Sequence, residues 1–201
     1  MIEYICMGNT VGSTNINFCN FYSSCKDAYL LGLWCADGYW WSSSVGLSNT
    51  DENLIDQFRK FFIQNFDNER IKYNRHHIFV NSRPLLREFV TAKNNLENLK
   101  NENVLQAYFA GRFDGDGSIS KDFRSDCRIV YSNQKEAEVD QKLINIIGIS
   151  KTKIYYYQSA RTFCLYISRF EAEKFINKIS LYSIKMQKLM FVPRRDLPSP
   201  F

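Results

Sequence analysis

The sequence has few residues that could build a zinc site or a disulfide framework. It contains two adjacent histidines, His76 and His77, and six cysteines that form no CxxC pair: Cys6, Cys19, Cys25, Cys35, Cys127 and Cys164. Structural zinc sites use closely spaced ligand pairs, and a chain of 201 residues can bury a core without covalent cross-links. We therefore expect reduced cysteines, no zinc, and an intracellular protein.

Long apolar segments are missing as well. The first residues, MIEYICMGN, lack the basic start and the apolar centre of a secretory signal. No stretch approaches the ~20 apolar residues of a membrane-spanning helix. These absences predict that the protein is neither secreted nor held in a membrane.

A strong excess of one charge is also absent. Lysine and arginine number 26 against 21 acidic residues, and the whole surplus lies after residue 100. With 45% hydrophobic and 15% aromatic residues, the chain is expected to fold. The net charge of +5 is compatible with a nucleic-acid partner but does not by itself predict one.

What the chain does contain is a repeat with a long period. The segments SSCKDAYLLGLWCADGYWW and NENVLQAYFAGRFDGDGSI both read as a capped helix that ends at a glycine. The predicted N-caps are Ser24 and Asn103, and the predicted ends are Gly38 and Gly117, so each pair is 79 residues apart. A repeat this long predicts two copies of a half-domain rather than a solenoid.

The order of elements after the two helices is also repeated. Each copy continues with a strand pair, a helix, a β-hairpin and a further helix. We predict an α+β fold of two pseudo-symmetric αββαββα half-domains at residues 24–102 and 103–192. An N-terminal arm at 1–23 and a C-terminal tail at 193–201 flank them.

The two repeated helices carry small residues at intervals of four. These are Ala28, Gly32 and Ala36 in the first helix, and Ala107, Gly111 and Gly115 in the second. Four-residue spacing places each set on one helix face, and glycine there costs about 1 kcal/mol of helix propensity. We therefore predict that the two helices pack against each other at a central interface, with Ala28, Gly32, Ala107 and Gly111 in contact.

An acidic residue follows each set, Asp37 in the first copy and Asp116 in the second. A carboxylate at the negative end of a helix is disfavoured, and packing two such ends together increases the repulsion. Cations would relieve it, and oxygen ligands favour magnesium. The pattern predicts a divalent-metal site shared by the two halves.

A calcium loop of the EF-hand type is the alternative for FDGDGSI. With its glycine at Gly117, such a loop would need ligands at Arg112 and Phe123, which supply none. We therefore exclude this type of calcium site.

The segments LLGLWCADG and FAGRFDGDG, at 30–38 and 109–117, resemble the defining motif of the LAGLIDADG homing endonucleases. The resemblance covers roughly residues 24–192 in the single-chain, two-motif form. Cys35 replaces the first acid of the motif, and Arg112 and Phe113 replace aliphatic residues. The second acid, which the family uses as a metal ligand, is present as Asp37 and Asp116.

The resemblance implies a set of site residues. Two or three Mg²⁺ ions, with Mn²⁺ as a substitute, would bind Asp37 and Asp116 and the carbonyls of Ala36 and Gly115. Further catalytic candidates are Asn49, Asn133 and a lysine, for which Lys185 matches better than Lys100.

The resemblance further implies a saddle of antiparallel sheets that binds double-stranded DNA along the major groove. Alternation in IKYN and KIYYY predicts one polar or basic face on each sheet. The predicted DNA contacts are Trp40, Ser42, Ser44, Arg70, Lys72, Asn74, His77, Ser118, Ser120, Lys121, Arg124, Arg128, Lys151, Lys153, Tyr155, Tyr157 and Arg161.

The function that this resemblance implies is site-specific, metal-dependent cleavage of both DNA strands by a monomer. Two alternatives share the fold: an RNA-splicing maturase, whose partner would be intron RNA, and a DNA-binding protein that does not cut. Loss of Asp37 or Asp116 would favour these alternatives, and both residues are present.

Overall fold

A computed structural model describes residues 18–119 and 127–191, and the side chains up to residue 188. In the described residues, the first half contains three α-helices and four strands. In chain order they are α1 (Cys25–Asp37), β1 (Gly38–Trp41), β2 (Ser44–Ser48), α2 (Glu52–Asn65), β3 (Ile71–Asn74), β4 (His77–Asn81) and α3 (Arg83–Asn94).

The second half repeats this order and adds one helix. Its elements are α4 (Glu102–Asp116), β5 (Gly117–Ile119), β6 (Cys127–Tyr131), α5 (Gln134–Ile146), β7 (Thr152–Tyr157), β8 (Thr162–Ile167), α6 (Arg169–Ile179) and α7 (Ile184–Phe191). The αββαββα order is therefore confirmed, and α7 is an element that the sequence did not predict.

Each half forms its own four-stranded antiparallel sheet. The strand orders are β1-β2-β4-β3 and β5-β6-β8-β7, so corresponding strands occupy corresponding places. One face of each sheet is apolar and lies against the helices. Val45, Leu47, Ile78 and Val80 on the first sheet are fully buried, and alternate residues point the other way.

The two motif helices, α1 and α4, form the centre of the molecule and make its most extensive contact between elements. A Cβ added at Gly32 would lie 2.0 Å from the carbonyl oxygen of Tyr108. A Cβ added at Gly111 would lie equally close, at 2.0 Å, to the carbonyl oxygen of Tyr29. The helices thus approach backbone to backbone on the face that carries the small residues, and Ala28 and Ala107 on it are fully buried.

The start of α4 differs from its predicted position. Asn101, not Asn103, is the N-cap: its side chain accepts hydrogen bonds from the backbone N–H groups of Asn103 and Val104. The N-cap of α1 is Ser24, as predicted, and both helices end at the predicted glycine. The two extra residues lie at the start of α4, so the ends of α1 and α4, at Asp37 and Asp116, still correspond.

Within the described residues, no helix combines the length and the apolar character needed to cross a bilayer. The predicted arm at 1–23 is described only from residue 18, and the predicted tail at 193–201 lies outside the described residues.

Candidate active site

The two motif carboxylates are the last residues of α1 and α4, and the two helix ends touch. A Cβ added at Gly115 would lie 2.4 Å from the Cβ of Ala36 and 2.8 Å from Oδ2 of Asp37. Any side chain at position 115 would therefore occupy the space beside the Asp37 carboxylate. The packing of α1 on α4 therefore places Asp37 beside Gly115, the residue that precedes Asp116.

Both carboxyl groups are perturbed by their surroundings. Burial raises the pKa of Asp116 to about 6, and the nearby charge of Asp37 adds to this effect. Burial also raises the pKa of Asp37, although a hydrogen bond from Asn49 opposes the shift. Two partly buried acids with raised pKa values, whose charges lie close together, form a site that a cation would stabilise.

Asn49 and Asn133 occupy matching positions in the two halves of the sequence, but they form different hydrogen bonds. Asn49 donates from Nδ2 to Oδ2 of Asp37 at 2.8 Å, while its Oδ1 accepts from the backbone N–H of Asp51 at 2.7 Å. Asn133 is the N-cap of α5, and its Oδ1 accepts from the backbone N–H of Lys135 at 2.8 Å. The first half therefore has an amide bonded to its motif acid, and the second half has a cap at the matching position.

Lys185 lies at the site, whereas Lys100 does not. The Nζ of Lys185 donates to the carbonyl oxygens of Phe113, at 3.0 Å, and Gly117, at 2.8 Å, at the end of α4 that carries Asp116. Burial lowers the pKa of Lys185, and the surrounding carboxylates oppose this shift. Lys100 is exposed and precedes the opposite end of α4, about 20 Å along a helix of 15 residues.

Comparison with known proteins finds others that share this fold. A family model described as a LAGLIDADG-like domain matches residues 24–102. The crystal structure of I-DmoI in complex with DNA and Ca has a TM-score of 0.65 and 21% identity, covering 83% of this chain and 97% of that one. The complex of I-DmoI with DNA and Mn gives a TM-score of 0.59 and 21% identity, over 80% of this chain and 97% of that one.

The chain has the LAGLIDADG fold, in two copies. The N-terminal LAGLIDADG domain of DUF199/WhiA is also similar, with a TM-score of 0.59 and 14% identity over 82% of this chain and 84% of that one. Comparison with curated proteins finds no match. At these identities the solved structures establish the fold, and α1 and α4 are its LAGLIDADG helices.

The sheet face that points away from the helices is the candidate DNA surface, and we call it the open face. On the first sheet it carries Tyr39, Trp41, Ser44, Lys72, Asn74, His77, Phe79 and Asn81. Ser44 is nearly buried, and its hydroxyl donates to Oδ1 of Asn81 at 2.7 Å. Of the predicted contacts on these strands, Ser44, Lys72, Asn74 and His77 lie on the open face.

Three other predicted contacts of the first half lie elsewhere. Trp40 is opposite Val45 and therefore belongs to the helix-side face, although it is 67% exposed at the end of β1. Ser42 occupies the β1–β2 turn at a φ of 55°. Arg70 ends a short 3-10 helix, and its guanidinium donates to the Asn81 carbonyl oxygen at 3.2 Å. Tyr39 and Trp41 take the open-face positions on β1 that we had assigned to Trp40.

On the second sheet, the strand residues that were predicted to share one face do so. Ser118, Arg128, Lys153, Tyr155 and Tyr157 share the open face, and Nε of Arg128 donates to the Ser118 hydroxyl at 3.0 Å.

Two further predicted contacts of the second half, Lys151 and Arg161, are not on strands. Lys151 precedes β7, and its ammonium lies 5.7 Å from the centre of the Phe170 ring on α6. Arg161 is in the β7–β8 turn at a φ of 52°. Ser120, Lys121 and Arg124 lie outside the described residues.

Two buried charged residues of α4 were not recognised from the sequence as functional. Arg112 is 2% exposed and forms an ion pair with Glu136 at 3.0 Å and another with Asp140 at 3.4 Å. Its guanidinium also lies 4.4 Å from the centre of the Tyr131 ring. Asp114 is equally buried, at 2% exposure. A charged residue in an otherwise apolar helix face was the signal that could have identified both.

Proposed function

We propose that this chain is a site-specific, metal-dependent endonuclease that hydrolyses one phosphodiester in each strand of a long double-stranded DNA target. The observation that carries the proposal is the meeting of Asp37 and Asp116 at the touching ends of α1 and α4, with the pKa of both raised by burial. The likeness to I-DmoI, solved with DNA and divalent metal ions, supports the same activity.

The donor atoms fit divalent metal ions. The Asp37 and Asp116 carboxylates, and the carbonyls of Ala36 and Gly115 that we predict as further ligands, are hard oxygen donors of the kind that Mg²⁺ and Mn²⁺ accept. The described residues contain no cluster of three or more His, Cys, Asp or Glu side chains that could enclose a metal ion. Water and DNA phosphates would complete the coordination, which leaves positions open for the reacting groups. Bound ions would activate the attacking water and stabilise the leaving oxygen.

The chain's own residues then have separate roles. Asn49 holds the Asp37 carboxylate from one side through its 2.8 Å hydrogen bond. Lys185 places a positive charge beside the second motif, where it would attract the phosphate and stabilise negative charge that develops on it. The open faces of the two sheets would bind the DNA on either side of this centre, with lysine, arginine and amide groups available for phosphates and base edges.

The test begins with the selection of a target from a randomised duplex library, followed by cleavage assays in Mg²⁺, in Ca²⁺ and in EDTA. We expect Asp37→Asn and Asp116→Asn to retain DNA binding in Ca²⁺ and to lose at least ~100-fold in cleavage rate in Mg²⁺. Asp67→Asn, a change at an exposed acid, is the matched control and should cut normally.

Two outcomes would overturn the proposal. If both asparagine variants still cut, the carboxylates do not hold the catalytic ions. If the unmodified protein binds its selected target but never cuts it in Mg²⁺ or Mn²⁺, the non-cleaving DNA-binding function is the correct one. Preferential binding of structured RNA would instead favour the maturase.

A further inference from the structure

Asp114, which lies on α4, forms hydrogen bonds with both α1 and the start of α7. Its Oδ2 accepts hydrogen bonds from the Tyr29 hydroxyl on α1, at 2.7 Å, and from the backbone N–H of Ile184, at 2.7 Å. Its Oδ1 accepts from the Ser183 hydroxyl, at 2.5 Å, and from the backbone N–H of Lys185, at 3.2 Å. Each carboxylate oxygen therefore receives two donors, which is the full acceptor capacity of an ionised aspartate.

Two of these donors are the first N–H groups of α7. A helix leaves its first N–H groups without partners inside the helix, and a negative charge beside them is favourable. Asp114 satisfies those of Ile184 and Lys185, and the Ser183 hydroxyl oxygen accepts from the N–H of Met186 at 3.0 Å. The start of α7 is thus capped by a carboxylate that belongs to the LAGLIDADG helix α4.

The backbone N–H and the side-chain ammonium of Lys185 both donate to one short segment, residues 113–117, at the end of α4. Its backbone N–H bonds to Asp114, while its Nζ bonds to the carbonyls of Phe113 and Gly117. The ammonium group therefore has a fixed position relative to Asp116, which lies between these two carbonyls in sequence. If the cap at Asp114 were lost, the backbone of α7 would no longer hold Lys185 there.

We propose that Asp114 is a positioning residue, which fixes the start of α7 and so holds Lys185 at the active site. The effect of Asp114 on cleavage rests on the proposed nuclease function. Its effect on the start of α7 does not. Cys35 occupies the matching position of the first half, so this carboxylate clamp exists only in the second half.

The structural test is amide hydrogen exchange of α7 without DNA. In the unmodified protein the amides of Ile184 and Lys185 should be protected, and Asp114→Asn should raise their exchange rates at least tenfold, because its NH₂ group would face at least one N–H donor. Glu88→Gln is the matched control: Glu88 also accepts two backbone N–H groups, those of Phe18 and Cys19. Its substitution should leave α7 unchanged.

The functional test compares cleavage of the selected target by single and double variants. Misplacement of Lys185 by ~1 Å should slow cleavage at saturating DNA by about 100-fold, with affinity in Ca²⁺ unchanged. Because Asp114 acts through Lys185, the double variant Asp114→Asn/Lys185→Met should be no slower than Lys185→Met alone. Ser183→Ala, a milder change at the same junction, should reproduce part of the Asp114→Asn defect.

The outcomes separate this inference from the proposed function. Unchanged exchange at Ile184 and Lys185 in Asp114→Asn would refute the clamp, whether or not the protein cuts DNA. Faster exchange with normal cleavage, or additive losses in the double variant, would refute the positioning role. Faster exchange in a protein that never cuts would leave the clamp standing and refute the catalytic consequence together with the nuclease function.

Discussion

Substitution of Gly32 by alanine tests the closest contact in the molecule. The added Cβ would lie 2.0 Å from the Tyr108 carbonyl oxygen and 2.9 Å from the Arg112 backbone nitrogen. A carbon–oxygen contact needs about 3.3 Å, so the helices would have to separate by roughly 1 Å. Because both clashing atoms belong to the backbone, no side-chain rotation can relieve them.

The expected cost follows from two opposing effects. Overpacking in a core costs about 1–3 kcal/mol, and a clash with backbone belongs at the upper end. Alanine recovers about 1 kcal/mol of helix propensity relative to glycine. The net loss in the free energy of unfolding should be about 2 kcal/mol, or about 4–8 °C in Tm for a chain of this length.

Urea and thermal unfolding measure this loss. Gly111→Ala should behave like Gly32→Ala, since its Cβ would meet the Tyr29 carbonyl oxygen at 2.0 Å. Thr91→Ala, at an exposed position of α3, is the control for helix propensity alone and should not destabilise. A loss below about 0.5 kcal/mol for both glycine variants would refute the argument that the backbones are in direct contact.

Three further predictions concern buried charge. Burial raises the pKa of Asp116 in the folded state from the ordinary 3.8 to about 6, so the folded state binds the proton more tightly and stability falls as pH rises from about 4 to 6. Asp116→Asn should therefore stabilise the metal-free protein by about 3 kcal/mol at pH 8 and much less at pH 4, as measured by urea unfolding. Mg²⁺ should raise the Tm of the unmodified protein at pH 8, and of Asp116→Asn much less, in thermal melts with and without EDTA. Arg112→Met should cost about 3–5 kcal/mol because it leaves Asp140 buried without its cation, and adding Asp140→Asn should recover part of that loss in the same unfolding assay.

The sequence predicted the centre of the fold well because its signals there are local. Small residues at intervals of four and an acid before each terminal glycine are patterns within a single helix, and they repeat 79 residues apart at Gly38 and Gly117. The packing of α1 on α4 followed from them, and the α+β order followed from the strand and helix patterns that repeat after each motif helix. The start of α4 was misplaced because Asn101 and Asn103 are both suitable caps, and only the structure shows which side chain reaches the free N–H groups.

Features that depend on distant contacts could not be predicted in this way. Asp114 meets Ser183 across 69 residues of chain, and no local pattern announces that pair. The open-face position of Trp41 was missed for a related reason. Strand β1 has only four residues, which is too few for alternation to show which residues face the helices. The pairing of β1 with β2 determines which of the two adjacent tryptophans faces away from the helices.

The interface between the LAGLIDADG helices has a consequence for the two halves as separate molecules. Positions 79 residues apart across it are no longer equivalent: Leu33 corresponds to Arg112, and Cys35 to Asp114. A homodimer of the first half would offer the Tyr29 hydroxyl no carboxylate in place of Asp114, and a homodimer of the second half would bury two Arg112 side chains at the helix interface. The two halves are therefore complementary rather than interchangeable across this interface, because Asp114 of the second half accepts a hydrogen bond from Tyr29 of the first.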